Sequence, residues 1–354
     1  ADNTWWDTKG IPEAFNKHTI YANDISGTGA TVKGNIATTS PKPSSWPATW
    51  TDATWTNTSI SLPFPSLPAL PFETQPSDPA PSGWIEFQMR GQPRYRIDGG
   101  SWQAPLPAGV AYSSDGTGTE TFTFTTYVPP GNRKIYVRKS FAPSGRTGGA
   151  YFDNASIVNS VLADGNITFK GNISLSQNAL FEADVDGDGT GTLVIHPGTT
   201  FSGSDLIVYD YWPPGSFTIN QANITINGAL VTNCSLTIGT NASNLTIDAT
   251  NSNKNAAIII YTGSTATFTL NSTPTITLGD NQAYAFLLST TTNPLNVNIG
   301  TAGNVNFDTN PITNLDGKAT VVAYSTGSSS TVSIGSGSNY AKIKGLIYSY
   351  GASG

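Results

Sequence analysis

Ala256-Ala-Ile-Ile-Ile-Tyr261-Thr262, Ala283-Tyr-Ala-Phe-Leu-Leu288-Ser289 and Ala319-Thr-Val-Val-Ala-Tyr324-Ser325 share one shape: an alanine, a bulky apolar run and a small hydroxyl residue. The first two copies lie 27 residues apart and the next 36. Between them come segments that alternate apolar with polar, among them Ala266-Thr-Phe-Thr-Leu270, Pro274-Thr-Ile-Thr-Leu278, Leu295-Asn-Val-Asn-Ile299 and Thr331-Val-Ser-Ile334. Alternation at period two places Phe268 with Leu270, Ile276 with Leu278, and Val297 with Ile299 on one dry face of a strand, with Thr or Asn on the other. Short strands that recur at uneven spacing predict the coils of a parallel β-helix, in which extra residues bulge out at the corners and each coil is buried only by its neighbours. Asn251, Asn253, Asn271, Asn293 and Asn304 suit the bends between strands. A β-sandwich also joins short strands by polar turns, but gives no reason for the returning alanine-led run.

Charged residues make up 11% of the chain and the net charge is −6, so the surface is dressed in hydroxyls and amides rather than ions. Lys and Arg total 17 and gather in no run, which excludes a nucleic-acid or anionic-membrane footprint. No apolar run reaches the ~20 residues that a membrane-spanning helix needs. The many Asn, Thr, Ser and Gly, with few charges and little Cys or Met, predict an extracellular setting. The lone Cys234 lies inside an apolar-polar pattern and reads as a buried structural thiol.

Along the chain, residues 1–37 read as an N-terminal cap and first coil. The pair Trp5 and Trp6, followed by Ile11-Pro-Glu-Ala-Phe15, either covers the open end of a solenoid or presents rings to a ligand. Thr31-Val-Lys-Gly-Asn-Ile36 returns as Thr168-Phe-Lys-Gly-Asn-Ile173 and as Lys342-Ile-Lys-Gly-Leu-Ile347, which predicts equivalent coil positions. Residues 38–148 then read as an insertion between early coils. Its first half carries Pro63, Pro65, Pro68, Pro71, Pro76, Pro79 and Pro81 beside Trp46, Trp50 and Trp55, a composition for an extended segment lying on a surface. Its second half reads as hairpins: Trp84–Arg90 with Tyr95–Ile97, and Glu120–Phe124 returning through Pro129-Pro-Gly-Asn132 as Lys134–Arg138. Residues 149–354 form the main β-helix, interrupted at Asp210-Tyr-Trp-Pro-Pro-Gly215, a protruding loop that offers Tyr209, Tyr211 and Trp212.

Asp184-Val-Asp-Gly-Asp-Gly189 matches the first half of an EF-hand loop, so Asp184, Asp186 and Asp188 are candidate ligands of a structural calcium. The twelfth position, a bidentate Glu in such loops, is Ile195, and the alternative is a solvated hairpin tip. No other cofactor is called for. Every glutamate lies at or before Glu182, and Asp248, Asp280, Asp308 and Asp316 are scattered corner residues. His18 and His196 have no companion motif, so general acid–base chemistry has few candidates. Binding asks for less: aromatic rings stack on sugar rings while amides and hydroxyls complete the hydrogen bonds. Every second coil would repeat at ~9.6 Å, close to a disaccharide step. Trp46, Trp50, Trp55, Tyr209, Tyr211 and Trp212 are the candidate carbohydrate-binding residues, and Tyr261 and Tyr324 are either further ones or packing.

The coils carrying Val32-Lys-Gly-Asn-Ile36 and Phe169-Lys-Gly-Asn-Ile173, the long aromatic and proline-rich excursion and the closing Ile343-Lys-Gly-Leu-Ile-Tyr348 resemble, over the whole chain, the C-terminal binding half of the tapirins. These are cell-surface cellulose adhesins of plant-biomass-degrading thermophilic anaerobes. The resemblance implies a β-helix core, adhesion to crystalline cellulose without cleavage, and display at the cell surface with type IV pilus components. It carries no catalytic or binding motif onto particular residues. A β-helix polysaccharide lyase or hydrolase, and a surface-layer or filament subunit without a glycan site, are the competing expectations.

Overall fold

A computed structural model describes most of residues 73–306 and, outside that span, the strands Ile20–Ala22, Lys33–Thr38, Asp52–Asn57, Ile312–Thr313, Thr320–Ser325, Thr331–Ile334, Ala341–Lys342 and Leu346–Gly351. Within 73–306, residues 117, 141–146, 211–214, 263, 283, 291–292 and 302–304 also lie outside the described residues. The fold is all-β, with a single 3-10 turn at Pro130–Asn132 among the described residues. From Lys134–Val137 the chain passes to Thr147–Asp153, then Ser156–Ile157, and returns as Val161–Ala163 beside its starting strand. Later circuits visit three walls in the same order as far as Ile312–Thr313, while Val305–Asn306 and Ala341–Lys342 pair in a separate two-stranded sheet. A long sheet of 14 strands forms one wall, two successive five-stranded sheets form the second, and a seven-stranded sheet forms the third. Long parallel sheets built by such circuits are consistent with a solenoid-like arrangement.

The walls differ because their surroundings do. In the second and third walls the predicted alternation holds: Phe268, Leu270, Ile276, Leu278, Val297 and Ile299 are buried while the intervening Thr and Asn are half-exposed. In the middle strands of the long sheet both faces are buried. All five residues of Leu206–Asp210 and all of Ala256–Ile260 are buried, giving the continuous apolar runs of a parallel sheet covered on both sides. Inside, Phe152 stacks on Phe124 at 5.1 Å, and Phe169 meets Phe181 edge-on at 4.7 Å and Phe201 at 5.2 Å. Each buried ring contributes about 1.5–3 kcal/mol by transfer, with roughly 0.5–1.5 kcal/mol more per well-placed pair.

Double-sided burial also explains a slip in register. Aligning the alanines would set Tyr261 over Leu288, whereas the strands pair Tyr261 with Ser289 and Ser289 with Tyr324. An alternating strand resists such a slip because every side chain would change faces. A run that is apolar on both faces carries no such mark.

The order of strands corrects the expected domain boundaries. The strands Ile20–Ala22, Lys33–Thr38 and Asp52–Asn57 do not precede the rest of the stack. They lie at its far end, where Tyr21 pairs with Tyr348 of the C-terminal strand. Trp84–Arg90 and Lys134–Val137 pair in parallel with each other, and the latter with Val161–Ala163. Residues 84–137 are thus the opposite end of the stack, and not an insertion between early coils. The arrangement covers the edge that the last strand would otherwise expose.

Of the two expected hairpins, Trp84–Arg90 with Gln92–Ile97 forms. Thr119–Phe124 instead pairs antiparallel with Val110–Ser114 and parallel with Thr147–Asp153. Phe124 and Phe87 belong to different walls and meet edge-on at 5.2 Å across the core, so Pro129–Asn132 turns a corner rather than a hairpin. The repeated Lys-Gly motif is not one structural position either. Lys33-Gly34 lies within a strand, whereas Gly171, at φ 73°, bends the chain between two strands.

Candidate functional site

The acidic turn joins the long sheet to the first five-stranded sheet, between Phe181–Ala183 and Leu193–Ile195, and so is a corner and not a hairpin tip. Asp184, at φ 54°, receives the Gly189 N–H at 3.0 Å, and Asp188 receives the Thr190 N–H at 3.0 Å. Ligand oxygens of Asp184, Asp186 and Asp188 lie within 4.8 Å of one another. A fourth member is one that no sequence pattern marks: the Lys139 ammonium ion-pairs with Asp186 and, at 3.1 Å, with Asp188. These carboxylates raise the Lys139 pKa, Asp186 foremost. Burial raises that of Asp184. A calcium ion takes six to eight oxygens. Here the positive charge facing two of the three carboxylates is Lys139.

The aromatic candidates fare unequally. Tyr209 is corrected: it is fully buried in the covered face of the long sheet, beside Glu182 in register, and cannot stack on a sugar. Trp46, Trp50, Tyr211 and Trp212 lie outside the described residues. Trp55 belongs to the strand Asp52–Asn57, paired with Ile36, and its side chain lies outside them too. Tyr261 is half-exposed, and the register places Ser289, Tyr324 and Tyr350 on the next three strands at its level. Cys234 is buried as expected, and burial pushes its thiol up to about 12. His196 packs against Tyr151.

The concavity that sequence reasoning did not single out lies where the seven-stranded sheet turns into the long sheet. Four successive circuits line it: Gln177 and Asn178, then Gly203 to Asp205 with Ile207, then Asn227 and Gly228, then Asn251 to Lys254. Its volume is about 380 Å³, within the range of small-ligand sites. Two glycines let its circuits pack closely. A Cβ on Gly203 would meet the Leu175 carbonyl at 2.5 Å, and one on Gly228 the Ser204 carbonyl at 2.7 Å, with φ at 94° and 158°. Behind one wall, buried Gln282 donates to the Ser252 carbonyl at 2.8 Å and accepts from the Gly279 N–H at 2.6 Å, fixing the loop. Asp205 Oδ1 accepts from the Ala229 N–H at 2.8 Å.

At the other corners amides serve the backbone. Asn154 Oδ1 accepts from the Asn172 N–H at 3.0 Å, Asn166 Oδ1 from the Thr192 N–H at 3.0 Å, and Asn220 Oδ1 from the Asn241 N–H at 3.1 Å. In the groove, Gln177, Asn178, Asn227, Asn251 and Asn253 are exposed, and their side-chain amides make no hydrogen bond to the described residues. The available signal was the recurrence of Asn and Gly at matching points of successive circuits.

One titratable group stands apart. Glu182 is fully buried and neither carboxylate oxygen has a hydrogen-bond partner among the described residues. Burial, with smaller contributions from Glu73 and Asp210, pushes its pKa up to about 8.

Comparison with protein-family models, with characterised proteins and with solved structures finds no match to this chain.

Proposed function

We propose that this chain is an extracellular adhesion module, built as a parallel β-helix, that holds insoluble plant polysaccharide without cleaving it. The observation that carries the reading is the corner groove with its five unengaged amides. A side-chain amide offers two donors and an acceptor that suit neighbouring sugar hydroxyls, and it needs no perturbed pKa. Among the residues that line the groove there is one carboxylate, Asp205, and one ammonium, Lys254. Glycoside hydrolysis in most families asks for a pair of carboxyl groups, which favours adhesion over cleavage. Tyr261, with Tyr324 two strands further on at ~9.6 Å, fits the same reading. The tapirin resemblance makes crystalline cellulose the expected polymer, and display at the cell surface beside type IV pilus components the expected setting.

The test is co-sedimentation with cellulose, chitin and xylan, followed by an assay for released soluble sugar. Binding without release is expected. Release would replace adhesion by lyase or hydrolase activity, and absence of both would leave a structural subunit. Tyr211→Ala with Trp212→Ala tests whether the loop joins the groove in binding; a retained parent affinity removes those two rings from the site. Calcium at Asp184, Asp186 and Asp188 is a separate proposal, in which the ion takes the place of the Lys139 ammonium.

A further inference from the structure

We infer that the groove takes one extended, uncharged polysaccharide chain, laid along the stacking direction across four circuits, and not the flat face of a crystal. The inference rests on the polysaccharide reading above and names the form in which the polymer is recognised. Three features of the groove carry it.

The groove is concave and runs across the circuits. Its four contributing corners are separated by three steps of ~4.8 Å, about 14 Å in all, room for about three sugar rings end to end. A planar crystal face cannot fill a concavity lined by the turns of four circuits. A single chain that stands free of the crystal can.

Its polar groups are also distributed as a chain requires. Gln177 and Asn178 lie on the first circuit, Asn227 on the third, and Asn251 and Asn253 on the fourth, with Ser204 and Asp205 on the second. A small ligand would need such groups converging on one point. Here they are spread over the four circuits, so successive rings each find donors or acceptors. The loop Asn251–Lys254 is held from behind by Gln282, and little ordering is left to occur on binding.

Charge supports the choice of an uncharged polymer. Asp205 and Lys254 bring one charge of each sign, so the groove has no excess of positive charge to attract a polyuronate. Aromatic rings are absent from the described lining, and the apolar contribution comes from Ile207.

Soluble glucose and cellobiose to cellohexaose, with polygalacturonate as the anionic comparison, are titrated calorimetrically into the whole chain and used to compete it from insoluble cellulose. Asn227→Ala with Asn251→Ala is the diagnostic variant, since both amides are exposed, and its melting curve is compared with the parent's. The expected result is that the oligosaccharides bind and compete, that affinity rises up to about three rings and then levels, and that the variant binds about tenfold more weakly with unchanged melting. If the chain sediments with cellulose while the oligosaccharides neither bind nor compete, the single-chain inference is overturned and adhesion stands. It is overturned equally if the variant binds like the parent, or if polygalacturonate binds better than the neutral oligomers. If no insoluble polymer is bound at all, the functional reading itself fails.

Discussion

Replacing Glu182 by Gln is expected to remove most of the loss of stability that this protein suffers as pH rises from 5 to 9. Glu182 is fully buried, its oxygens have no hydrogen-bond partner among the described residues, and its register neighbours on the covered face are Leu162 and Tyr209. Burial raises its pKa from the ordinary 4.5 to about 8. The folded state therefore holds a proton that the unfolded state releases above 4.5. Stability is fully present below the unfolded value and declines as pH rises through the interval up to the folded value. Above that, both states are ionised and the decline ends. The span from 4.5 to about 8, at ~1.4 kcal/mol per pH unit, makes the total on the order of 5 kcal/mol. Urea unfolding of parent and Glu182→Gln at pH 5, 6, 7, 8 and 9 reads it directly. The variant has an offset of its own, because a buried amide also lacks partners, so the slopes are compared and not the intercepts. The difference in stability between the two proteins should change by about 4 kcal/mol across the series and flatten above pH 8. Parallel lines from pH 5 to pH 9 would refute the argument, because they would show that Glu182 ionises alike in both states.

Asp164 titrates in the lower part of the same range. Burial pushes it up to about 6 although the Tyr136 hydroxyl donates to it at 2.6 Å, so Asp164→Asn should reduce the slope between pH 4 and 6 only, as read by extending the same titration down to pH 4. Glu86 lies buried between two arginines, accepting from Arg96 at 2.6 Å and from Arg138, which also donates to the carbonyl of Ser77. Glu86→Gln leaves both guanidinium groups short of charge and should cost about 3–5 kcal/mol in urea unfolding. It should also speed proteolysis within residues 73–81, which the same cluster ties to the sheet. Lys139→Gln removes the ammonium facing Asp186 and Asp188. Millimolar calcium should then raise the melting temperature of the variant by several degrees while moving the parent by less, and equal shifts would show that Lys139 and calcium do not compete.

What was legible in the sequence follows from how many faces of each strand are constrained. Phe268 and Leu270, or Val297 and Ile299, carry alternation because one side meets the core and the other meets water, and their burial could be read. The run from Ala256 to Ile260 is buried on both sides, so its strand was plain and its register was not. The closing of the stack by Ile20–Ala22 and its neighbours was hidden for another reason. Pairing between Tyr21 and Tyr348 is long-range, and no local pattern marks which edge an N-terminal strand will choose. The three aspartates of the acidic turn could be picked out in the sequence, yet Lys139, distant in sequence, only meets them once the walls are assembled.

The groove was hardest to see, and the reason bears on where function sits. Asparagine at a bend is expected whether it holds the backbone or faces a ligand, so Asn154, Asn166 and Asn220 look no different in sequence from Asn227, Asn251 and Asn253. The structure separates them by what their amides do. At two corners the oxygen accepts from a backbone N–H of another circuit, and replacing it would unfasten one circuit from the next. At the third corner Asp205 and Gln282 accept from the Ala229 and Gly279 N–H groups, and the amides of Asn227, Asn251 and Asn253 remain available to solvent. Nothing in stacking one circuit on another requires that difference between corners. Five exposed amides line a 380 Å³ concavity there, and the proposed polysaccharide gives them partners.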